Sequence, residues 1–137
     1  MEYAITLVLN APHPLVCALY GDHAQMTKWE KGLARIEAVP GSDKSAYLVF
    51  EQNGSVQRMK ETVLEWKIPD RHDAVYEMGP VWNRCLSVFT PEGNKTKWTM
   101  HVEFRGVESF SLPLSAFEQK TLAGMMLFKE YAESLQR

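Results

Sequence analysis

Three polar side chains on consecutive predicted strands are the candidates for chemistry in this sequence: Glu61, Tyr76 and Arg84. A carboxyl turned into an apolar interior favours its protonated form and can act as a general acid or base; the alternative is a solvent-exposed strand glutamate. An inward tyrosine can orient a ligand by one hydrogen bond, and an inward arginine can bind a ligand carboxylate. We therefore treat these three residues as the candidate catalytic groups, each conditional on the direction in which its strand turns it.

The four histidines do not form a metal-binding pattern. His13, His23, His72 and His101 include no pair with the spacing of metal ligands, and no run of carboxylates completes a site. The sequence also lacks a Gly-rich phosphate loop and a GxSxG nucleophile motif. We therefore predict neither a bound metal nor a cofactor.

The overall composition is typical of one globular domain covering residues 1–137. Of the 137 residues, 45% are apolar and 23% charged. The 15 basic and 17 acidic side chains are interspersed, so the net charge of −2 provides no basic surface for nucleic acid. The first residues contain no signal peptide pattern and no membrane span. With two cysteines, Cys17 and Cys85, and no CxxC spacing, we expect a cytoplasmic protein with free thiols.

Residue patterns predict a strand, two short helices, six further strands and a final long helix. The first strand covers residues 2–10 and alternates apolar and other positions. The first short helix starts around Pro14 and stops before Gly21, and Asp22 can cap the second. The later strands end at turns rich in glycine, proline and asparagine, including the hairpin pair Asn53-Gly54 and the turn at Pro69. They are predicted at 34–39, 46–52, 56–68, 74–78, 82–90 and 96–105.

The long helix is predicted from Ser115 to Gln136, with Ser115 as its N-cap and Glu118 at the capping-box position. Its apolar face contains Gly124. A glycine in a helix interior costs about 1 kcal/mol relative to alanine. Gly124 therefore indicates that something approaches the backbone there, either a ligand or a bulky residue of a strand.

Short turns between consecutive strands favour antiparallel pairing, so the sequence predicts one curved, seven-stranded antiparallel sheet. The long amphipathic helix must cover the concave face of that sheet. A sheet bent around a helix leaves a space between the two, and we expect this α+β arrangement to contain a cavity.

Together with particular motifs, this order of elements resembles the START-like or Bet v 1-like superfamily, also called SRPBCC, which includes polyketide cyclase/dehydrase-like proteins. The motifs run along the whole chain: Asn10-Ala11-Pro12, Met26-Thr27-Lys28-Trp29, Gly32-Leu33, Ile36-Glu37-Ala38-Val39, Pro69, Pro91-Glu92-Gly93-Asn94, Thr96, Trp98, Phe104 and Leu127-Phe128-Lys129. The resemblance implies the helix-grip fold. It also implies a hydrophobic ligand between sheet and helix, although some members are cyclases, aromatases or hydrolases and others bind protein partners.

The last predicted strand is the clearest guide to the cavity. Trp98, Met100 and Phe104 alternate with polar residues and should face inward, which leaves His101 on the surface. The long strand 56–68 is ambiguous, because a bulge could reverse its faces. The predicted ligand-binding residues are Trp29, Tyr47, Met59, Tyr76, Trp98, Met100, Phe104, Gly124, Met125 and Phe128.

The leading hypothesis from the sequence is therefore a protein that binds a small hydrophobic or amphipathic molecule, such as a lipid, an isoprenoid or an aromatic, polyketide-like compound. The first alternative is an enzyme of the cyclase, aromatase or hydrolase kind, acting on a hydrophobic substrate in the same cavity. The second alternative is a module that binds a protein partner, similar to chaperone activators. No membrane-spanning segment and no nucleic-acid partner are expected in any of the three.

Overall fold

The computed structural model describes residues 1–65 and 70–136. The elements follow the predicted order, and most bounds differ from the predictions by one to three residues. The end of the long strand at Ile68 and the turn at Pro69 lie outside the described residues. The elements are β1 (Glu2–Leu9), α1 (His13–Leu19), α2 (His23–Trp29), β2 (Leu33–Ala38), β3 (Ser45–Gln52), β4 (Ser55–Glu65), β5 (Arg71–Met78), β6 (Val81–Glu92), β7 (Lys95–Arg105) and α3 (Leu114–Ser134).

All seven strands form one antiparallel sheet in the order β1-β7-β6-β5-β4-β3-β2. The first two strands along the chain therefore lie at opposite edges. The connection between them must cross the width of the sheet, and α1 and α2 make this crossing. The predicted α+β helix-grip fold, with two short helices after the first strand and a long C-terminal helix, is confirmed.

Two of the predicted local signals form as expected. Asn53 and Gly54 both have positive φ angles, 51° and 80°, which is the conformation that a two-residue hairpin turn of type I′ requires. Asp22 caps α2, because its carboxylate accepts a hydrogen bond from the backbone N–H of Ala24 at 3.1 Å.

The predicted N-cap of the long helix is wrong. Helix α3 begins at Leu114, and its N-cap is Pro113, which has extended backbone and no side-chain cap. The carbonyl of Pro113 already accepts a bond from the N–H of Ala116 at 3.0 Å. Ser115 therefore lies inside the first turn, where it cannot serve as the cap.

The apolar residues within 1–65 and 70–136 form two core clusters. The larger one joins β1, β6 and β7 to α1 and α3 and is centred on Trp98 and Phe128, which are almost completely buried. The smaller one lies at the other side of the sheet and contains Met26, Leu33 and Leu48. These two clusters share Trp29 as a neighbour, and the space between them is where the candidate site lies.

A buried hydrogen bond fastens the first turn of the chain to the sheet. The hydroxyl of Thr96 donates to the carbonyl of Ala11 at 2.8 Å, and both residues are almost completely buried.

We predict that Thr96→Val lowers the free energy of unfolding by about 1–3 kcal/mol, because the Ala11 carbonyl is left buried without this donor. Urea unfolding checks this. Thr99→Val is the control: its hydroxyl bonds Thr6 on the exposed face, so a change within about 0.5 kcal/mol is expected. Equal losses in both variants would contradict the prediction.

Candidate functional site

A cavity of about 210 Å³ lies between the inner face of the sheet and helices α2 and α3. Its wall includes Trp98 and Met100 from the larger core cluster and Met26, Leu48 and Met59 from the region of the smaller one. Lys120 lines it while remaining exposed, so the cavity reaches the surface beside α3. The site is a mainly apolar pocket with a small number of polar groups, which is the usual composition of a small-molecule site.

Seven of the predicted ligand-binding residues lie in the wall of this cavity: Trp29, Met59, Tyr76, Trp98, Met100, Gly124 and Met125. Strand alternation explains most of them. On β7, Trp98 and Met100 are buried while Lys97 and His101 are exposed, as the sequence pattern predicted. Phe89 on β6 lies directly opposite Trp98 on β7.

Three other predicted residues do not line the cavity. Tyr47 points to the outer face of the sheet, because its neighbours Ala46 and Leu48 take the inner positions of β3. Phe104 faces inward but packs beyond the end of the cavity, with its ring 5.1 Å from that of Phe117 on α3. Phe128 is completely buried in the larger core cluster and contacts Tyr20, Trp29 and Trp98.

Arg84 lies on the outer face of the sheet. The prediction that it points inward and binds a ligand carboxylate is therefore wrong. Its guanidinium donates to both carboxylate oxygens of Asp73, at 2.9 and 2.6 Å. The reason is alternation along β6, because Asn83 and Cys85 on either side of Arg84 both line the cavity.

Glu61 points inward and is 1% exposed, so it is not the solvent-exposed glutamate of the alternative interpretation. Met59 and Val63 share its face, and the irregularity in β4 falls beyond them, between Val63 and Glu65. The Nε2 of His23 and the Oε1 of Glu61 are 2.6 Å apart. This bond raises the pKa of His23, with partial burial acting in the opposite direction. Glu61 itself is not among the residues that line the cavity.

Gly124 opens directly onto the cavity. A Cβ atom placed at this position would have no other atom within 4 Å, apart from the backbone of α3 itself and the two adjacent residues. The interpretation that a bulky strand residue packs against the glycine is therefore wrong, and the missing side chain leaves free space at the middle of α3.

The ring of Tyr20 closes one end of the cavity. Its centroid lies 5.1–5.2 Å from those of His72, Phe89, Trp98 and Phe128. A chain of hydrogen bonds fixes the polar end: the indole N–H of Trp98 donates to Ser87 at 2.9 Å, and the Ser87 hydroxyl donates to Tyr20 at 3.3 Å. This end of the cavity is therefore rigidly packed.

The sequence interpretation did not select several lining residues. His72 could have been found, because it has the same parity on β5 as Tyr76. Nothing in the sequence indicated that Glu30 and Lys120 line the cavity, because charged residues at a helix end and on a helix surface are common. The other lining residues not selected are Tyr20, Gly21, Met26, Leu48, Phe50, Asn83, Cys85 and Thr121.

Burial shifts the pKa values of several titratable groups near the cavity towards the neutral form. Burial raises the pKa of Glu30 to about 7 and lowers that of His72. Burial also raises the pKa of Tyr76 well above its usual value, and the neighbouring charge of Glu61 adds to this shift. The thiols of Cys17 and Cys85 have pKa values raised by burial to about 11 and about 12, so both stay protonated and unreactive.

Within the described part of the chain, no group of three histidine, cysteine, aspartate or glutamate side chains is placed to hold a metal ion. Among the same residues, no helix has the length and apolar character needed to cross a bilayer.

The curved sheet, the long helix and the cavity between them define a helix-grip protein of the SRPBCC or Bet v 1-like class. The sequence profile of the family described as "Polyketide cyclase / dehydrase and lipid transport" matches residues 2–137, and the chain belongs to this family. No curated protein sequence matches the chain significantly.

Solved structures similar to this chain support the same fold. Ara h 8.0201 superposes with a TM-score of 0.78 at 11% identity, covering 98% of both chains. A START superfamily protein from Mycobacterium smegmatis gives 0.73 at 12% identity, again covering 98% of both. The di-domain ARO/CYC protein StfQ from the steffimycin biosynthetic pathway gives 0.76 at 13% identity, covering 98% of this chain and 45% of that one.

The carboxyl of Glu30 provides a test of the electrostatics of the cavity. Its pKa of about 7 lies above the usual 4.5, so its charge disfavours the folded state, and the stability that it contributes is lost as the pH rises from 4.5 through 7. We predict that Glu30→Gln is more stable than the parent protein by about 1–3 kcal/mol above pH 7, and that this difference disappears towards pH 4.5. Urea unfolding at several pH values checks this.

The matched control is Glu108→Gln at an exposed position, which should not produce a pH-dependent difference. Parallel stability curves for the parent protein and Glu30→Gln would contradict the prediction.

Proposed function

We propose that residues 1–137 act as a single domain that binds a small hydrophobic or amphipathic molecule in the cavity between the sheet and α3. The observation that carries this proposal is Gly124. An alanine at this position would fit without a clash and would favour the helix by about 1 kcal/mol, yet the chain has glycine where the helix faces the cavity.

The volume of the cavity limits the size of the ligand. At about 210 Å³ it exceeds the roughly 150 Å³ of a cavity known to hold benzene. It is smaller than the roughly 300–1,000 Å³ of pockets for drug-sized ligands. A molecule of one or two rings, or an isoprenoid unit of similar size, fits these limits better than a long acyl chain does.

The wall provides the driving force for binding. Aromatic rings of Trp29 and Trp98 and the thioethers of Met59, Met100 and Met125 surround the space. Burial of apolar surface against them contributes about 25 cal/mol per Å² before the cost of ordering the ligand is subtracted. Flexible methionines also allow the wall to adapt to ligands of different outline.

The enzyme alternative, a cyclase, aromatase or hydrolase, has one remaining candidate in the wall. Of the three candidate catalytic residues, Tyr76 lines the cavity, Glu61 does not, and Arg84 is on the opposite face of the sheet. Glu30 is a further acid in the wall, so acid–base chemistry would have to use Tyr76 and Glu30. We rank binding ahead of catalysis on this basis.

The alternative of a protein-partner module would use an exposed apolar segment. Phe110, Leu112 and Leu114 occupy alternate positions in the segment that leads into α3, and each is about half exposed. Because the cavity is open rather than collapsed, we rank this role below small-molecule binding.

Native mass spectrometry of the purified protein, followed by denaturing extraction, tests the proposed function. We expect a co-purified compound of one or two rings or a short isoprenoid, or, for an empty protein, a melting temperature raised by naphthalene. An empty protein that no apolar compound of this size stabilises would reject the proposal and favour the exposed segment before α3 as the functional surface.

Substitutions at Gly124 test the location of the site. We predict that Gly124→Leu weakens naphthalene binding by at least about tenfold, because its four-carbon side chain occupies the cavity. Gly124→Ala is the matched control: it should raise the free energy of unfolding by about 1 kcal/mol and leave the affinity within about twofold. Isothermal titration calorimetry measures both affinities, and equal binding by the two variants would place the ligand elsewhere.

A further inference from the structure

Glu61 is a buried carboxylate with one of its two oxygens in a short hydrogen bond. Oε1 accepts this bond from His23 at 2.6 Å, whereas Oε2 is buried and has no hydrogen bond of normal length within the described residues. An ionised carboxylate can only accept hydrogen bonds, and leaving a buried acceptor unpaired is costly. The position of Glu61 therefore requires a donor close to Oε2.

Tyr76 is the group best placed to provide that donor. It lies directly opposite Glu61 on the neighbouring antiparallel strand, and both side chains point to the inner face. The Cβ atoms of such opposite residues are about 4.5–5.5 Å apart. Burial raises the pKa of Tyr76 well above its usual value, and the charge of Glu61 and a weak hydrogen bond between the two side chains add to this, so the hydroxyl retains its proton.

The other neighbours of Glu61 are already committed or unsuited. His23 is bonded through Oε1 and is 39% exposed, so it connects Glu61 to solvent rather than to the cavity. His72 lines the cavity, but its ring packs edge-on against Tyr20, and its Nε2 lies beside Gly21. The guanidinium of Arg84 is on the other face, bonded to Asp73.

Resting on the proposed binding function, we propose that the Glu61–His23 pair sets the ligand specificity of the cavity through Tyr76. The Tyr76 hydroxyl donates to Oε2 of Glu61, and its oxygen lone pairs then face the cavity. The inner wall at Tyr76 thus accepts hydrogen bonds and does not donate them. The preferred ligands carry a donor at this end, as phenols and alcohols do, and ketones and ethers of the same size are disfavoured.

Each member of the chain has a distinct part in this arrangement. Tyr76 touches the ligand, Glu61 orients the Tyr76 hydroxyl, and His23 holds Glu61 in place. When a ligand hydroxyl donates to the Tyr76 oxygen, the series of hydrogen bonds runs from the ligand through Tyr76 and Glu61 to His23. Hydrogen bonds in such a series polarise and strengthen one another. Glu61 and His23 are therefore positioning residues.

Three probes of nearly the same shape test the proposal at pH 7 by isothermal titration calorimetry. 2-Naphthol carries a donor, 2-methylnaphthalene carries no polar group, and 2-methoxynaphthalene carries an acceptor alone. We expect the parent protein to bind 2-naphthol at least about tenfold more tightly than 2-methoxynaphthalene, the effect of one hydrogen bond in a charge-assisted series.

Two variants should remove this preference. Tyr76→Phe reduces the affinity ratio to about one while leaving the affinity for 2-methylnaphthalene within about threefold. Glu61→Gln lets an amide N–H donate to the Tyr76 oxygen, which turns the hydroxyl proton towards the cavity and shifts the preference towards 2-methoxynaphthalene. Glu77→Gln removes an exposed carboxylate next to Tyr76 on the same strand and should preserve the ratio of the parent protein.

The outcomes separate this inference from the function on which it rests. If all three probes bind the parent protein with equal affinity, the inference is wrong and the binding function stands. If none of them binds, both are wrong. If Glu61→Gln does not fold, Tyr76→Phe decides alone, because a merely structural tyrosine would change all three affinities together and leave their ratio intact.

Discussion

The packing of Tyr20 against five aromatic rings is the constraint on which the site depends. Tyr20 ends α1, and its ring contacts Trp29 of α2, His72 of β5, Phe89 of β6, Trp98 of β7 and Phe128 of α3. Aromatic pairs at such distances contribute about 0.5–1.5 kcal/mol each beyond the area they bury. One side chain thus fixes both short helices and the long helix relative to the sheet, and it sets the end of the cavity.

The cavity exists because the two core clusters do not meet. A seven-stranded sheet is wide, and one helix of 21 residues cannot cover all of its inner face. The larger cluster fills the side where β1, β6 and β7 meet α1 and α3, and α2 covers the side of β2 and β3. Gly124 lies between them. Its missing side chain and the large residues of the surrounding wall leave a space with defined boundaries rather than a loosely packed core.

Polar groups are placed in this cavity in a way that keeps charge away from its centre. Glu61 is paired with His23 behind Tyr76, and Arg84 with Asp73 on the other face of the sheet. Glu30 lies in the wall, and burial raises its pKa to about 7. Apart from Glu30 and Lys120, the polar groups of the wall are hydroxyl, amide, imidazole and thiol groups in mainly apolar surroundings, which suits recognition of a small molecule with one polar end. Fold similarity at 11–13% identity does not choose the ligand.

The sequence by itself determined the elements, their order and much of the inner face. Strong alternation made the faces of β7 predictable, since the period of two is a local property of the backbone. The alternation on β3 and β6 is weaker and did not reveal which residues face inward. Only the tertiary structure shows that Tyr47 and Arg84 point outward. Local sequence patterns also could not predict contacts between residues that are far apart along the chain. The pairing of His23 with Glu61, the rings around Tyr20 and the open space at Gly124 arise only when the helix pair crosses the sheet and α3 packs against it.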